Sequence, residues 1–451
     1  MTRKGDDTLT ITLPMPVRTA LDKLTAAGYE AYIVGGCVRD SLLGRTPNDY
    51  DITTSALPEQ TAAVFADERT LPTGLKHGTL TVLIDGMPIE ITTYRVDGGY
   101  TDHRHPDRVT FTSLLTEDLR RRDFTINAMA YHPDVGLVDP FSGVADLSRG
   151  RIVCVGDPEH RFTEDALRLM RALRFSAELG FPIEKVTAQV LRRLAPLLRR
   201  VSPERIAAEL TRLLCAPHCR KLLLDYPDVI GIILPELSAT VGLRQDNPYH
   251  YLTVYEHTVE TVAAAPAQPI LRLTMLLHDC GKPQCYTRDE NGVDHFRGHA
   301  PIGAAMAERA LTRLRFDRKT VQTVKLLVQH HDDDLPKDEA GFRRLLGRYG
   351  GETAHLLLEV KRADVLGQHP DKRDRLDALD AAQATLDRLI EQSACCTLRE
   401  LTVDGQDLIA LGFAPGKALG RALDTLLAEV IDGRVENERA PLLERAAQLL
   451  D

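Results

Sequence analysis

The spacing of apolar positions changes near residue 150. Up to about that point, short apolar runs are separated by glycine, proline and charged turns; beyond it, apolar residues recur at three- and four-residue intervals. The first rhythm predicts strands with a few short helices, the second a succession of helices. Pro16 to Ala27, with Val17, Leu21 and Leu24 on one side, reads as a helix stopped by Gly28 and feeding a strand over Ala31–Val34. Leu57 to Phe65 reads as a second short helix. Thr79–Ile84, Asp85-Gly86 and Ile89–Tyr94 form a hairpin signature with Asp-Gly as a type I′ turn. The expected fold class is α+β. A head over residues 8–150 carries a small mixed or antiparallel sheet with helices, and is followed by an all-α neck (151–225), body (226–390) and tail (391–451).

The first strand ends in Gly35-Gly36, where bare backbone N–H groups can approach phosphate oxygens with no Cβ in the way. Asp49 and Asp51 follow within an apolar frame of Tyr50 and Ile52. If this piece is a strand, both carboxylates face one side and repel unless divalent cations lie between them. Glu90, between Ile89 and Ile91, puts a third carboxylate on a strand able to lie beside them. A phosphate cradle next to a metal pair is the arrangement of nucleotidyl transfer.

Composition narrows the class. At 451 residues the chain exceeds one ordinary core, and two to four domains are expected. No signal-like segment or long apolar run appears, so a cytoplasmic protein without membrane spans is expected, as monomer or dimer. Eight scattered cysteines without Cys-x-x-Cys pairs suit reduced thiols, and Cys215-x-x-x-Cys219 with His218 lacks the second pair of a zinc site. The net charge of −9 argues against a globally basic nucleic-acid binder. The stretch from Arg168 to Lys221 is locally basic, however, and Arg199 and Arg200 within it are candidate RNA phosphate contacts. In the tail, Lys417 follows Gly416 at an expected helix start and is a further candidate for RNA.

Gly35-Gly36-x-Val38-Arg39-Asp40 followed by Asp49-x-Asp51 resembles the tRNA nucleotidyltransferase/poly(A) polymerase family in its bacterial, class II form. The resemblance implies addition of C and A to the 3′ end of tRNA from CTP and ATP, with two Mg²⁺ on Asp49 and Asp51 assisted by Glu90. It places Gly35, Gly36 and Arg39 at the nucleotide, gives Arg122 and Asp123 of Arg120-Arg121-Arg122-Asp123 an organising role, and assigns Asn127 to the ribose. Three consecutive arginines cannot share a helix face, so a purely local ion-pair role is not expected and phosphate contact is. Gly74-x-x-His77-Gly78-Thr79 resembles a segment shaping the nucleotide site. Arg95 to Pro106, rich in glycine and charge, reads as a mobile loop resembling the family element that switches C to A addition. Asp139-Pro140-Phe141-x-Gly143 matches the turn linking head to neck.

Thr163 to Phe175 reads as one amphipathic helix N-capped by Thr163, with Asp165 and Arg168 on one face. Cytosine and adenine present an amino donor beside an unprotonated ring nitrogen; guanine and uracil present a carbonyl beside an N–H. A carboxylate and a guanidinium on one rigid face therefore complement C and A without a template. Glu164-Asp165-x-x-Arg168-x-x-Arg171 resembles the family's nucleotide-selecting motif.

The body brings a second constellation: His257, His278-Asp279, His299, His330-His331 and Asp364 among helices. His257, His278, Asp279 and Asp364 match the HD-domain phosphohydrolase pattern, which some bacterial relatives carry. Their donors suit Ni²⁺, Co²⁺, Mn²⁺ or Zn²⁺. Two other readings stand beside this one: a bacterial poly(A) polymerase, and a metal phosphohydrolase whose vestigial head holds RNA. The acidic C-terminal end disfavours the former, and the intact carboxylates and selecting motif disfavour the latter.

Overall fold

The computed structural model describes residues 10–74, 78–98, 108–392 and 394–450. The chain divides into two compact units, Met1–Ile233 and Leu234–Asp451.

Unit 1 opens with the helix Met15–Ala26, which buries Val17, Leu21 and Leu24 and leads into β1 (Ala31–Val34). β2 (Asp51–Thr54) pairs antiparallel with β1, and β3 (Arg69–Gly74), β4 (Thr79–Ile84) and β5 (Met87–Thr93) follow. Asp85 and Gly86 both take positive φ between β4 and β5, as a type I′ turn requires. A separate pair, β6 (Arg95–Gly98) and β7 (Arg108–Phe111), precedes β8 (Ala130–His132) and β9 (Gly136–Val138). The main sheet has the order β3-β4-β5-β2-β1-β8-β9, and its β2–β5 contact is parallel. Ile33, Ile52, Ile89 and Ile91 are fully buried and pin the register by filling one side of the sheet.

The expected loop over Arg95–Pro106 is thus corrected at its start: Arg95–Gly98 is a strand, because its backbone finds a partner in Arg108–Phe111. Residues 99–107 and His77 of the Gly74–Thr79 segment lie outside the described residues. The Asp139 turn is present, with the Asp139 carboxylate accepting from the N–H groups of Gly143 and Val144.

Unit 2 is built of helices with one exception to the all-α expectation. β10 (Thr287–Arg288) and β11 (Asp294–His295) form a short antiparallel pair, and Asp289, accepting from Asn291 and Val293, closes the turn between them. Val254–Ala264, Pro269–Leu277, His299–Arg313, Arg318–His330 and Glu339–Gly367 pack around buried histidines. A separate cluster of Leu408, Leu426, Leu442 and Ala446 forms the core of the last helices. Lys417 is exposed at the first position of the helix Lys417–Ile431, as the tail pattern indicates. All eight cysteines are free thiols. Among the described residues no helix is long and apolar enough to cross a membrane.

Candidate active site and candidate metal centre

The C-terminal end of β1 and the first residue of β2 open onto a cleft of about 440 Å³ lined by Gly35, Gly36, Arg39, Asp49, Asp51, Arg122, Asp123, Asn127, Asp165, Arg168 and Arg171. Every nucleotide-binding candidate named above reaches this one cavity. Gly35 takes φ +79°, and a Cβ there would stand 3.0 Å from Arg122 Nη1, so glycine is what lets the guanidinium close over the strand end. Asp49 is exposed just ahead of β2, and Asp51 begins the strand. Glu90 is the register partner of Asp51 across the parallel β2–β5 contact and is exposed on that face. Burial pushes the Asp51 carboxyl up to about 6; Arg122 opposes this, and Asp49 and Glu90 add to it. Asp49 and Asp51 in the cleft lining, with Glu90 on the neighbouring strand, are a donor set that divalent cations satisfy.

A hydrogen-bonded chain runs behind this rim. Arg39 donates to Asn127 Oδ1 at 2.7 Å, Asn127 donates to Asp123 Oδ1 at 3.2 Å, and Arg171 donates to Asp123 Oδ2 at 2.7 Å. Burial opposes ionisation of Asp123, but Arg171 and Arg168 override it and hold the carboxyl down at about 2. Phe175 lies under this chain, with the guanidinium carbons of Arg39 and Arg171 at 5.1 and 5.2 Å from its ring centroid.

Two expectations are corrected here. The segment Thr163–Phe175 is not one helix capped by Thr163. Asp157 caps a helix over Pro158–Glu164, and Asp165 takes an extended conformation before the helix Leu167–Leu179. The break follows from the Asp165 carboxylate accepting the N–H of Leu167, an Asx turn that competes with helix continuation. Asp165 and Arg168 consequently do not pair with each other. Arg205 holds Asp165 at 2.9 Å, while Arg168 donates to Glu164 at 2.7 Å and to the carbonyls of Arg121 and Arg161. Each member of the arginine triplet has a local acid one turn back, Arg120 with Glu117, Arg121 and Arg122 with Asp118, while Arg121 and Arg122 also line the cleft. Asp118 is fully buried and also accepts from the Thr53 hydroxyl on β2 at 3.0 Å.

Asp118, Arg205 and Phe175 were not among the sequence candidates. Asp118 had a usable signal, an acid three and four residues ahead of two arginines on a helix. Arg205 had none, because its partner lies forty residues away. The basic run is also narrower than its count: Arg171, Arg174, Arg192, Arg193, Arg205 and Lys221 all form ion pairs with carboxylates. Arg199 and Arg200 are exposed at the end of a 3-10 helix over Ala195–Arg200.

In unit 2 the four HD-pattern residues converge. His257 Nε2 lies 2.9 Å from Asp364 Oδ1 and 3.6 Å from Asp279 Oδ2, and His278 Nε2 lies 3.2 Å from Asp279 Oδ2. Asp279 Oδ2 is buried and no donor meets it with hydrogen-bond geometry, although the Lys282 ammonium stands 2.7 Å away. A buried carboxylate oxygen facing two imidazole nitrogens is a transition-metal donor set, here with the Lys282 ammonium as a further neighbour. A cavity of about 590 Å³, lined by His331, Asp332, Lys361, Asp364 and Arg375, adjoins it.

Comparison with known proteins places the chain among relatives along its length. The family profile "Poly A polymerase head domain" matches residues 31–153, "Probable RNA and SrmB- binding site of polymerase A" matches 180–240, and "tRNA nucleotidyltransferase domain 2 putative" matches 301–446. A CCA-adding enzyme of Lactobacillus helveticus is 37% identical over 94% of this chain and 93% of its own length. One of Leuconostoc mesenteroides is 35% identical, covering 96% and 95%. The crystal structure of a Bacillus stearothermophilus CCA-adding enzyme in complex with CTP superposes with a TM-score of 0.70 at 31% identity, covering 96% of each chain.

Proposed function

The chain belongs to the family of CCA-adding tRNA nucleotidyltransferases, and from that premise we propose that the cleft of unit 1 is the site where CTP and ATP are joined to the 3′ end of tRNA. The activity is template-independent addition and repair of the terminal CCA, and it uses a divalent metal. The observation carrying the assignment is that Asp49, Asp51, Arg39, Asp123, Asn127, Asp165 and Arg168 line one cavity in a chain alike over nearly its whole length to CCA-adding enzymes. Poly(A) polymerase is not favoured, because the full-length relatives are CCA-adding enzymes.

Asp49 and Asp51, with Glu90 beside them, are the groups that would hold two Mg²⁺. Held by these carboxylates, such ions would supply acidification of the RNA 3′-hydroxyl and charge neutralisation at the α-phosphate. Gly35 and Gly36 keep the backbone open to phosphate, and Arg122 and Arg39 offset its charge. Asn127 is assigned to the ribose, a role supported by its fixed position between Arg39 and Asp123. Asp165 accepts the amino group of C or A, and Arg168 donates to the ring nitrogen; Arg205 and Glu164 hold the two in place. Arg199, Arg200 and Lys417 are proposed RNA phosphate contacts within a head, neck, body and tail divided as the sequence indicates. Asp49→Ala or Asp51→Ala should abolish incorporation with the fold intact by circular dichroism. Substantial residual incorporation in a folded variant would remove the two-metal assignment.

His257, His278, Asp279 and Asp364 are proposed to hold a transition metal that acidifies a water for attack on a phosphoester. Beside a CCA-adding head, the fitting substrates are damaged tRNA ends carrying a 2′,3′-cyclic or terminal phosphate. Asp279→Ala should eliminate that hydrolysis and lower bound metal while nucleotide addition continues. Equal metal content in variant and parent would reduce the constellation to a packed histidine cluster.

A further inference from the structure

The helix that carries Arg168 and Arg171 into the nucleotide cleft ends at a second concave site within unit 1. Ser176 and Gly180, at its far end, line a cavity of about 510 Å³. Three cations, Arg192, Arg220 and Lys221, line it against one acid, Asp225, in a chain whose net charge is −9. That local balance selects an anion.

The walls are held by backbone. Ser176 Oγ donates to the Phe181 carbonyl at 2.7 Å, the Ile152 N–H donates to the Pro182 carbonyl at 3.0 Å, and the Glu184 N–H donates to the Ile152 carbonyl at 2.9 Å. The turn after the helix is thereby tied on both sides. Gly180 ends the helix at φ +73°, and a Cβ there would stand 2.9 Å from the His218 ring. Glycine both permits the left-handed turn and lets the imidazole pack against the helix end. His218 begins the segment that carries Arg220 and Lys221, so this contact sets where both cations stand.

The cations are oriented yet exchangeable. Arg192 lies over Tyr226, with Cζ 4.5 Å from the ring centroid, and pairs with Asp228 at 3.3 Å; Lys221 pairs with Asp225 at 2.5 Å. Both ion pairs are exposed, and such pairs are worth about 1 kcal/mol at most, less than a charge-assisted contact to phosphate.

Shape and charge decide which phosphate fits. A backbone phosphodiester runs along a surface with a neighbour on either side and carries one charge. A terminal monoester can enter a pocket, and its charge of about −1.5 to −2 at neutral pH matches several cations. The helix Leu167–Leu179 has 13 residues and spans about 20 Å, so the cavity lies about one helix length from the cleft end. In the acceptor stem of tRNA the 5′ end is paired beside the strand whose 3′ end is extended. Its 5′-terminal phosphate is therefore the monoester within that reach.

We propose that this cavity receives the 5′-terminal phosphate of the tRNA acceptor stem, with Arg192, Arg220 and Lys221 as its donors. This rests on the tRNA-extending reading of unit 1. Within the segment matched by the RNA-binding profile over 180–240, it assigns one chemical group of the RNA to one set of side chains.

The test uses the full-length chain and tRNA lacking its CCA end, carrying a 5′-phosphate or, after phosphatase treatment, a 5′-hydroxyl. Dissociation constants are measured without nucleotide by fluorescence anisotropy, and CTP incorporation is followed on both RNAs. The parent should bind the 5′-phosphate RNA about tenfold more tightly, the worth of a hydrogen bond to a charged group. Arg220→Gln combined with Lys221→Gln should erase that preference, bind the 5′-hydroxyl RNA as the parent does, and leave KM for CTP unchanged. Should the double variant not fold by circular dichroism, Arg220→Gln alone is read in the same way. Equal affinity of the parent for the two RNAs would overturn the 5′-phosphate site. So would a folded variant that keeps the preference, or one that loses affinity for both RNAs alike, the mark of an ordinary backbone contact. A parent that prefers the 5′-phosphate yet incorporates nothing would overturn the tRNA-extending reading and leave the site standing.

Discussion

Asp51 and Glu90 are direct partners on neighbouring parallel strands, which places a second carboxylate beside the one that lines the cleft. Burial, with smaller contributions from Asp49 and then Glu90 and against the opposing Arg122, holds the Asp51 carboxyl at about 6 against an ordinary 3.8. Between those values the native chain retains a proton that the unfolded chain has released, so native stability falls as pH rises through that window. Asp51→Asn removes the charge. In chelator, the variant should be more stable than the parent at pH 8, by about 3 kcal/mol from the size of the shift, and nearly equal to it at pH 4. Urea unfolding at both pH values measures this; a variant less stable at pH 8 would show that the carboxylate is a structural ligand of the fold.

Asp118 is the buried anchor for Arg121, Arg122 and the Thr53 hydroxyl. Asp118→Ala strands two guanidinium groups, and breaking such a buried pair costs about 3 kcal/mol or more. Incorporation should fall as well, because Arg122 loses the group that fixes it against Gly35. A change below about 1 kcal/mol in urea unfolding would mean the arginines find other partners.

Much of this was legible in the sequence. Gly35-Gly36, the Asp49–Asp51 spacing and the β4–β5 hairpin are local signals, because a strand's period and a turn's φ requirement act within a few residues. The selecting motif was legible as residues but not as geometry. A helical period places Asp165 and Arg168 together, whereas the Asp165 side chain caps the following helix and turns to Arg205. Likewise β6 looks like loop in isolation, since only its pairing with β7 makes it a strand. The meeting of His299 and His331 beside Asp279 depends on several helices packing together, which no spacing encodes.

Discrimination follows from the partners actually found. Asp165→Ala should raise UTP incorporation relative to CTP at least about tenfold, the worth of one hydrogen bond to a base edge. Arg205→Ala, which frees the same carboxylate without deleting it, should show a smaller loss of the same kind. Ratios of kcat/KM for the four nucleotides test this; unchanged discrimination in both would make Asp165 an ordinary surface ion-pair partner.

Metal removal should act on unit 2 through linkage. An ion present at about a hundredfold its dissociation constant adds about 2.7 kcal/mol to the state that binds it. Adding Mn²⁺ to stripped protein should raise the thermal midpoint of the parent and leave that of His278→Ala, scanned alongside it, largely unmoved. Equal shifts would place the stabilising ion elsewhere.

CCA addition is read out with tRNA lacking its CCA end and labelled nucleotides supplied singly and in sequence. CTP alone should extend the tRNA by C and C and halt, ATP added afterwards should place one terminal A, and UTP and GTP should give no product. A lengthening ladder of A from ATP alone, or no incorporation of either nucleotide by folded protein, would rule out CCA addition by the unit 1 cleft.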